Sequence, residues 1–220
     1  MNAKPHLLFF LVIFSVNNVH AQSKAPWVGA DLIGNPCIGG RQGYGPFDYS
    51  QRQSIDPHHL DIVEGAHFTH EVENLVAGHS GYLDGDLDYT LRAWPNHHRA
   101  LLSIARYQFK INSKLAKGKL ITPPECYFQR AINFSPKDAV TASLYGYYLR
   151  ETRHFKDAAL AYEEALKLAP NTAKIEYAYS LLLIDLKQYD NALIQARNAY
   201  QHGRPPQGLK NILIKLGVWK

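Results

Sequence analysis

The chain has 220 residues and a formal net charge of +5. That length predicts one domain large enough to bury a core. The charge is modest and no basic stripe carries interleaved aromatics, so nucleic acid is excluded as a partner.

Lys4 precedes an apolar run from Leu7 to Val16, followed by NNVHA and Gln22. This layout reads as a secretory signal peptide over residues 1–21, with Val19 and Ala21 as the small residues before cleavage. The run is well short of the roughly 20 residues that span a bilayer, and no other stretch could span one. The mature chain is therefore expected to be exported, periplasmic or secreted, without stable membrane insertion. Cys37 and Cys126 would then meet an oxidising compartment. There they either pair as a disulfide or remain two buried thiols acting as small apolar side chains.

Residues 22–66 show no sustained periodicity. The stretch APWVGADLIGNPCIGGRQGYGPFDYS is dense in Gly, Pro and aromatics, which predicts turns and extended backbone. Trp27, Leu32, Ile33, Ile38, Tyr44, Phe47 and Tyr49 favour burial. The segment is expected to wrap along the helices and cap the amino-terminal end of their stack.

Residues 67–96 read as an irregular helical pair. Thr69 is placed to cap a helix with Glu71 and Glu73 in its first turn, ending near Gly78. DGDLDYTLRAWPN follows as a second helix, with Leu87, Leu91 and Trp94 apolar and Pro95 behind it. Asp84, Asp86 and Asp88 resemble part of a calcium loop, but Tyr89 and Pro95 stand where that loop needs Gly and Glu. They read instead as charges favourable at a helix N-terminus. Seven histidines fall between His58 and His98. Only His67 and His70, beside Glu71, have ligand spacing; the group reads as surface and loop histidines. No HExxH, CxxC, CxxCH, GxSxG, GxGxxG or phosphate-cradling GxxxxGK[ST] occurs, so no enzyme signature and no cofactor is indicated. An envelope metal protein or enzyme built on residues 58–98 is the rival reading.

In residues 97–136, HHRALLSIARYQFKI and PECYFQRAINFSP read as two helices. The basic linker NSKLAKGKLITPP between them is expected to be an exposed, irregular hairpin. Residues 137–170 hold the clearest pattern. Ala142, Tyr145, Gly146 and Leu149 lie on one helical stripe, and Phe155, Ala158, Tyr162 and Ala165 on another, closed by Pro170. Small residues at Gly146, Ala158 and Ala165 let two helix backbones approach, with Tyr162 filling the space between. In residues 171–205, a step of about 34 carries Phe155, Ala158 and Ala165 onto Tyr189, Ala192 and Ala199, and Gly146 onto Ser180. The closing proline comes one residue late, at Pro205. Backward steps reach Phe128, Ala131 and Pro136. Residues 206–220 add a short helix with Leu209, Ile212, Leu213 and Leu216, expected to cap the array.

These residues resemble the tetratricopeptide repeat, whose signature runs W-x2-L-G-x2-Y, A-x3-F and a terminal proline at a period near 34. The first Trp and the Leu are replaced here. The resemblance covers residues 97–216. It implies an all-α fold of antiparallel helix hairpins in a right-handed superhelix, preceded by the irregular amino-terminal segment. It also implies a protein or peptide partner held in a concave groove lined by the first helix of each unit. Carried onto this sequence, the groove would present Arg99, Leu102, Arg106, Phe109 and Lys110, then Ser143, Tyr147 and Arg150, then Lys174, Tyr177 and Leu181. The clamp that some members close on a peptide carboxyl terminus is not reproduced, because Ser143, Tyr147 and Tyr177 stand in its place. Aromatics and cations in such a groove suit an acidic or aromatic-bearing segment. Self-association, with a groove filled by a second chain, is the other alternative.

Overall fold

The computed structural model describes residues 24–116 and 120–220. The signal-peptide expectation for residues 1–21 lies outside these residues. Among those described, the regular structure is helical apart from one isolated bridge between Ala30 and Pro36. The helices are α1 (His58–His67), α2 (His70–Glu73), α3 (Leu83–Ala93), α4 (His98–Asn112), α5 (Pro124–Phe134), α6 (Ala139–Glu151), α7 (Phe155–Leu168), α8 (Ala173–Asp185), α9 (Tyr189–His202) and α10 (Gly208–Lys215).

The fold is an all-α series of antiparallel hairpins, seen most clearly in α6 with α7 and in α8 with α9. What draws each pair together is the absence of side-chain bulk at the crossing. A Cβ added at Gly146 would stand 3.1 Å from ring carbons of Tyr162. Tyr162, Ala158 and Ala165 of the partner helix are all buried. In the next hairpin Ser180 takes the place of Gly146. It is fully buried, and its hydroxyl donates to the Ala192 carbonyl at 2.7 Å. A buried hydroxyl without such a partner would be destabilising.

First helices of the pairs end in the same way. Leu75, Lys114, Arg153, Lys187 and Gly217 all have positive φ. Each lies two residues beyond the last helical residue of α2, α4, α6, α8 or α10. The next amide reaches back to a carbonyl five residues earlier, as His154 to Leu149 and Gln188 to Leu183. This closure satisfies carbonyls that the helix end leaves unpaired. One-turn α2 and terminal α10 share this closure with α4, α6 and α8.

The structure departs from the sequence expectations in the amino-terminal half. Residues 22–66 are not wholly irregular: a 3-10 turn, Tyr49–Ser54, and helix α1 lie there. Only Val63 of α1 is buried, so the sequence carries little apolar stripe to announce it. The helix begun at Thr69 stops at Glu73 rather than near Gly78, and Thr69 makes no side-chain capping bond. Asp84 and Asp86 do lie in the first turn of α3, but Asp86 and Asp88 are also buried partners of other groups. Asp86 accepts from the His79 and Ser80 amides and pairs with His67 at 2.8 Å. Asp88 accepts from Arg92 and from the Tyr127 hydroxyl, each at 2.7 Å. Leu120 and Thr122, at the exit of the long linker, are buried rather than exposed. At the carboxyl end Leu209 and Leu213 are buried, whereas Ile212 and Leu216 are exposed.

Residues 24–48 form an arm laid across α3 and α5. Arg130 of α5 is the pin. Its guanidinium is 1% exposed and donates to the Ala25 and Leu91 carbonyls at 2.7 Å and to Gln42 Oε1 at 2.6 Å, with the Trp27 ring 4.9 Å away. No carboxylate pairs with it among the described residues. Burial accordingly pulls its pKa down to about 10. Beside it in sequence, the Gln129 amide both accepts from Ala30 N and donates to Ala30 O. Cys37 and Cys126 are joined by a disulfide. Ile33 and Ile38, expected inside, are exposed, because the arm turns its backbone and Leu32 toward the helices instead.

Candidate protein-interaction face

The helices α4, α6 and α8 lie side by side, α4 touching α6 and α6 touching α8. Their carboxyl-terminal halves carry the residues that remain open. On α4, Phe109 meets Tyr147 edge-on at 5.9 Å and stacks on Tyr148 at 5.8 Å. Burial pushes the Tyr147 phenol up, Glu151 adds to that, and Arg106 and Arg150 oppose it. Arg106 is exposed and has no ion-pair partner among the described residues. Lys110 and Leu102 are half-buried on the same helix.

Two of the five cations proposed for the groove are engaged in internal ion pairs. Arg99 donates to both oxygens of Glu73, at 2.8 and 2.6 Å, and to Glu64 at 3.4 Å. These bonds fasten α4 to α2 and α1, and the Arg99 bond holds Glu73 below the usual carboxylate range. Arg150 bridges α6 to α8 through Asp185 at 2.6 Å and also pairs with Glu151 at 3.0 Å. Leu181 is half-buried and packs on the carboxyl-terminal core. Lys174 and Tyr177 line a separate pocket at the far end of α8.

A cavity of about 1260 Å³ opens where the ends of α4 and α6 meet the arm. Its apolar lining is Leu32, Ile33, Phe109, Pro123 and Tyr148. One buried carboxylate organises the junction: Glu125 accepts from Leu32 N at 2.9 Å and from the Tyr148 hydroxyl at 2.6 Å. Burial and that bond raise the Tyr148 pKa. The arm residues arrive at this cavity on a tight turn, in which Asp31 Oδ1 accepts from the Ile33 and Asn35 amides. The sequence reading named Phe109 but not the arm as part of this surface. A polar turn offers no periodic signal of what it will face.

The histidines divide. His67 stacks on Tyr89 at 3.8 Å and pairs with Asp86, whereas His70 is exposed beside Asn74. No group of three or more potential metal ligands converges among the described residues. His97 and His98, read as surface residues, are structural. His97 is fully buried; its Nδ1 accepts from Ala100 N at 3.1 Å, which leaves Nε2 to donate to Glu64 at 2.8 Å. Burial depresses its pKa, with Glu64 opposing. His98 pairs with Asp138, the residue that caps α6 and that also accepts from Asn96.

The fold defines this chain as an all-α, tetratricopeptide-like hairpin array. No family model matches the sequence, and no curated protein does. Among solved structures, a crystal structure of MamA matches with a TM-score of 0.47 at 16% identity, covering 70% of this chain and 84% of that one. A second, described as MamA MSR-1 C2, gives 0.44 at 14%, covering 68% and 78%.

Proposed function

We propose that this is an exported interaction module that holds a peptide or protein segment against the row of α4, α6 and α8. The observation that carries the reading is the open aromatic and cationic surface on that row, where Phe109 and Tyr147 adjoin Arg106, which has no ion pair among the described residues. Arginine beside aromatic rings suits an acidic or aromatic-bearing segment through charge-assisted contacts and stacking. The cavity beside Phe109 gives such a segment room for an apolar side chain. Export, with a bacterial periplasm as the compartment, is supported by the signal-peptide layout of residues 1–21 and by the closed Cys37–Cys126 bond. No described helix is long and apolar enough to cross a membrane.

The test is capture of partners by crosslinking in envelope extracts, with Arg106→Glu and Tyr147→Ala beside the unaltered chain. Both side chains lie away from the fully buried core, so the variants are expected to fold and to lose the same partners. Retention of every partner by both variants would remove the proposal.

A further inference from the structure

The links between successive hairpins are where the last one differs. Residues 135–138 join α5 to α6 and residues 169–172 join α7 to α8, four in each case, whereas residues 203–207 join α9 to α10 with five. This link starts with a close approach. A Cβ on Gly203 would stand 2.7 Å from the Ala173 Cβ, so glycine alone lets the chain pass α8 there. The link is also tied down farther along. The Tyr200 hydroxyl donates to the Pro206 carbonyl at 2.7 Å and accepts from Lys210 N at 3.3 Å, while its ring packs edge-on to Trp219.

Between this fixed loop and the first turns of α8 lies a cavity of about 450 Å³. Its apolar lining comes from the Tyr177 ring, Pro205 and Pro206, and its charged lining from Lys174 and Arg204. Both cations are exposed, and neither has an ion-pair partner among the described residues. The acidic residue on the same turn of α8, Glu176, is buried and already held by His202 at 2.9 Å. The lining therefore combines an apolar surface with positive charge that no lining residue balances. A cavity of this size is within the usual range for small-molecule sites, about 300–1,000 Å³.

We infer that this pocket binds a small organic carboxylate with a compact apolar body. The carboxylate sits between Lys174 and Arg204, where charge-assisted hydrogen bonds are available. The apolar body lies on Tyr177 and the two prolines. Each half of the ligand is required: a bare anion leaves the apolar lining wet, and a neutral analogue leaves both cations unpaired. The inference does not depend on the peptide-holding face, from which it removes Lys174 and Tyr177.

Calorimetric titration of the full chain with benzoate tests it, with acetate, benzamide and benzylamine as comparators. Benzoate is expected to bind saturably at one site, with the three comparators at least about ten-fold weaker. Arg204→Gln and Lys174→Gln are each expected to weaken benzoate by about ten-fold, the scale of losing one charge-assisted hydrogen bond. Both side chains are exposed, and unchanged helical circular dichroism would show that the variants fold. No saturable benzoate uptake, equal uptake of acetate or benzamide, or unchanged benzoate binding in the double variant would each overturn the inference.

Discussion

The two halves of the molecule are held together by different physics. From α6 to α9 the interfaces rest mainly on small buried residues, Gly146, Ala158, Ala165, Ala192 and Ala199, with larger side chains around them; the buried Glu176, held by His202 across α8 and α9, is the chief polar exception. From the arm to α5 the joints are polar and buried. Arg130, Asp86, Asp88, Glu125, Asn96 and His97 are each 5% exposed or less, and a disulfide adds a covalent tie. A small-residue interface is sensitive to volume and indifferent to pH or redox state. A buried polar joint has the reverse sensitivities, because its stability rests on every group keeping its partner.

The largest separation between the halves should come from Arg130. Its replacement in Arg130→Ala strips the Ala25 and Leu91 carbonyls of their donor and leaves a void under Trp27. A loss of about 3–5 kcal/mol is expected, on the scale of leaving several buried acceptors without a donor and emptying the space the side chain filled. Urea unfolding should show it, and an unchanged midpoint would mean that the arm is not pinned as described.

Opening the Cys37–Cys126 bond comes next. It joins residues 89 apart in sequence, and a native disulfide of this kind contributes about 2–4 kcal/mol. Cys37→Ser should release the arm to limited proteolysis while α6 to α9 stay protected from hydrogen exchange. Equal deprotection of both halves would contradict the contrast drawn here. In the other half, Gly146→Val forces a branched side chain into the Tyr162 ring and should cost about 1–3 kcal/mol, read as a lower Tm. The same loss should appear under reducing and oxidising conditions alike.

The smallest effect is the dependence on pH. His97 has its pKa lowered from 6.5 by burial, so below about pH 6.5 the unfolded chain takes up a proton that the folded chain refuses. Stability contributed by His97 is present above that value and declines as pH falls through it. Glu64 and Asp138, held below their ordinary 4.5 and 3.8, add a second decline at more acid pH. Hydrogen exchange at pH 7 and pH 5.5 should show the α1–α4 contact loosening first, and His97→Gln should flatten the upper part of the profile.

How much was legible follows from what kind of signal each feature leaves. Helix pairs from α4 onward were readable because their apolar and small positions recur at helical spacing, and because Phe155, Ala158 and Ala165 recur a repeat later. Helix α1 was not, since its one buried side chain, Val63, makes no stripe. The candidate interaction face was half legible. Phe109, Arg106 and Tyr147 follow from the repeat register, whereas the ion pairs that engage Arg99 and Arg150 belong to partners on other helices. Nothing in the type of residue distinguished buried His97 from exposed His70.

The amino-acid order alone determined the hairpin array, because helical period and small-residue spacing are local properties that each repeat states again. Only the tertiary structure decided the course of the arm, the burial of the polar residues and the pocket beside α8. The arm depends on single contacts between residues far apart in sequence, 105 between Ala25 and Arg130 and 99 between Ala30 and Gln129. Such contacts have no period. A carboxylate or imidazole is the same letter whether it faces water or a partner, and only the packing of the helices settles which.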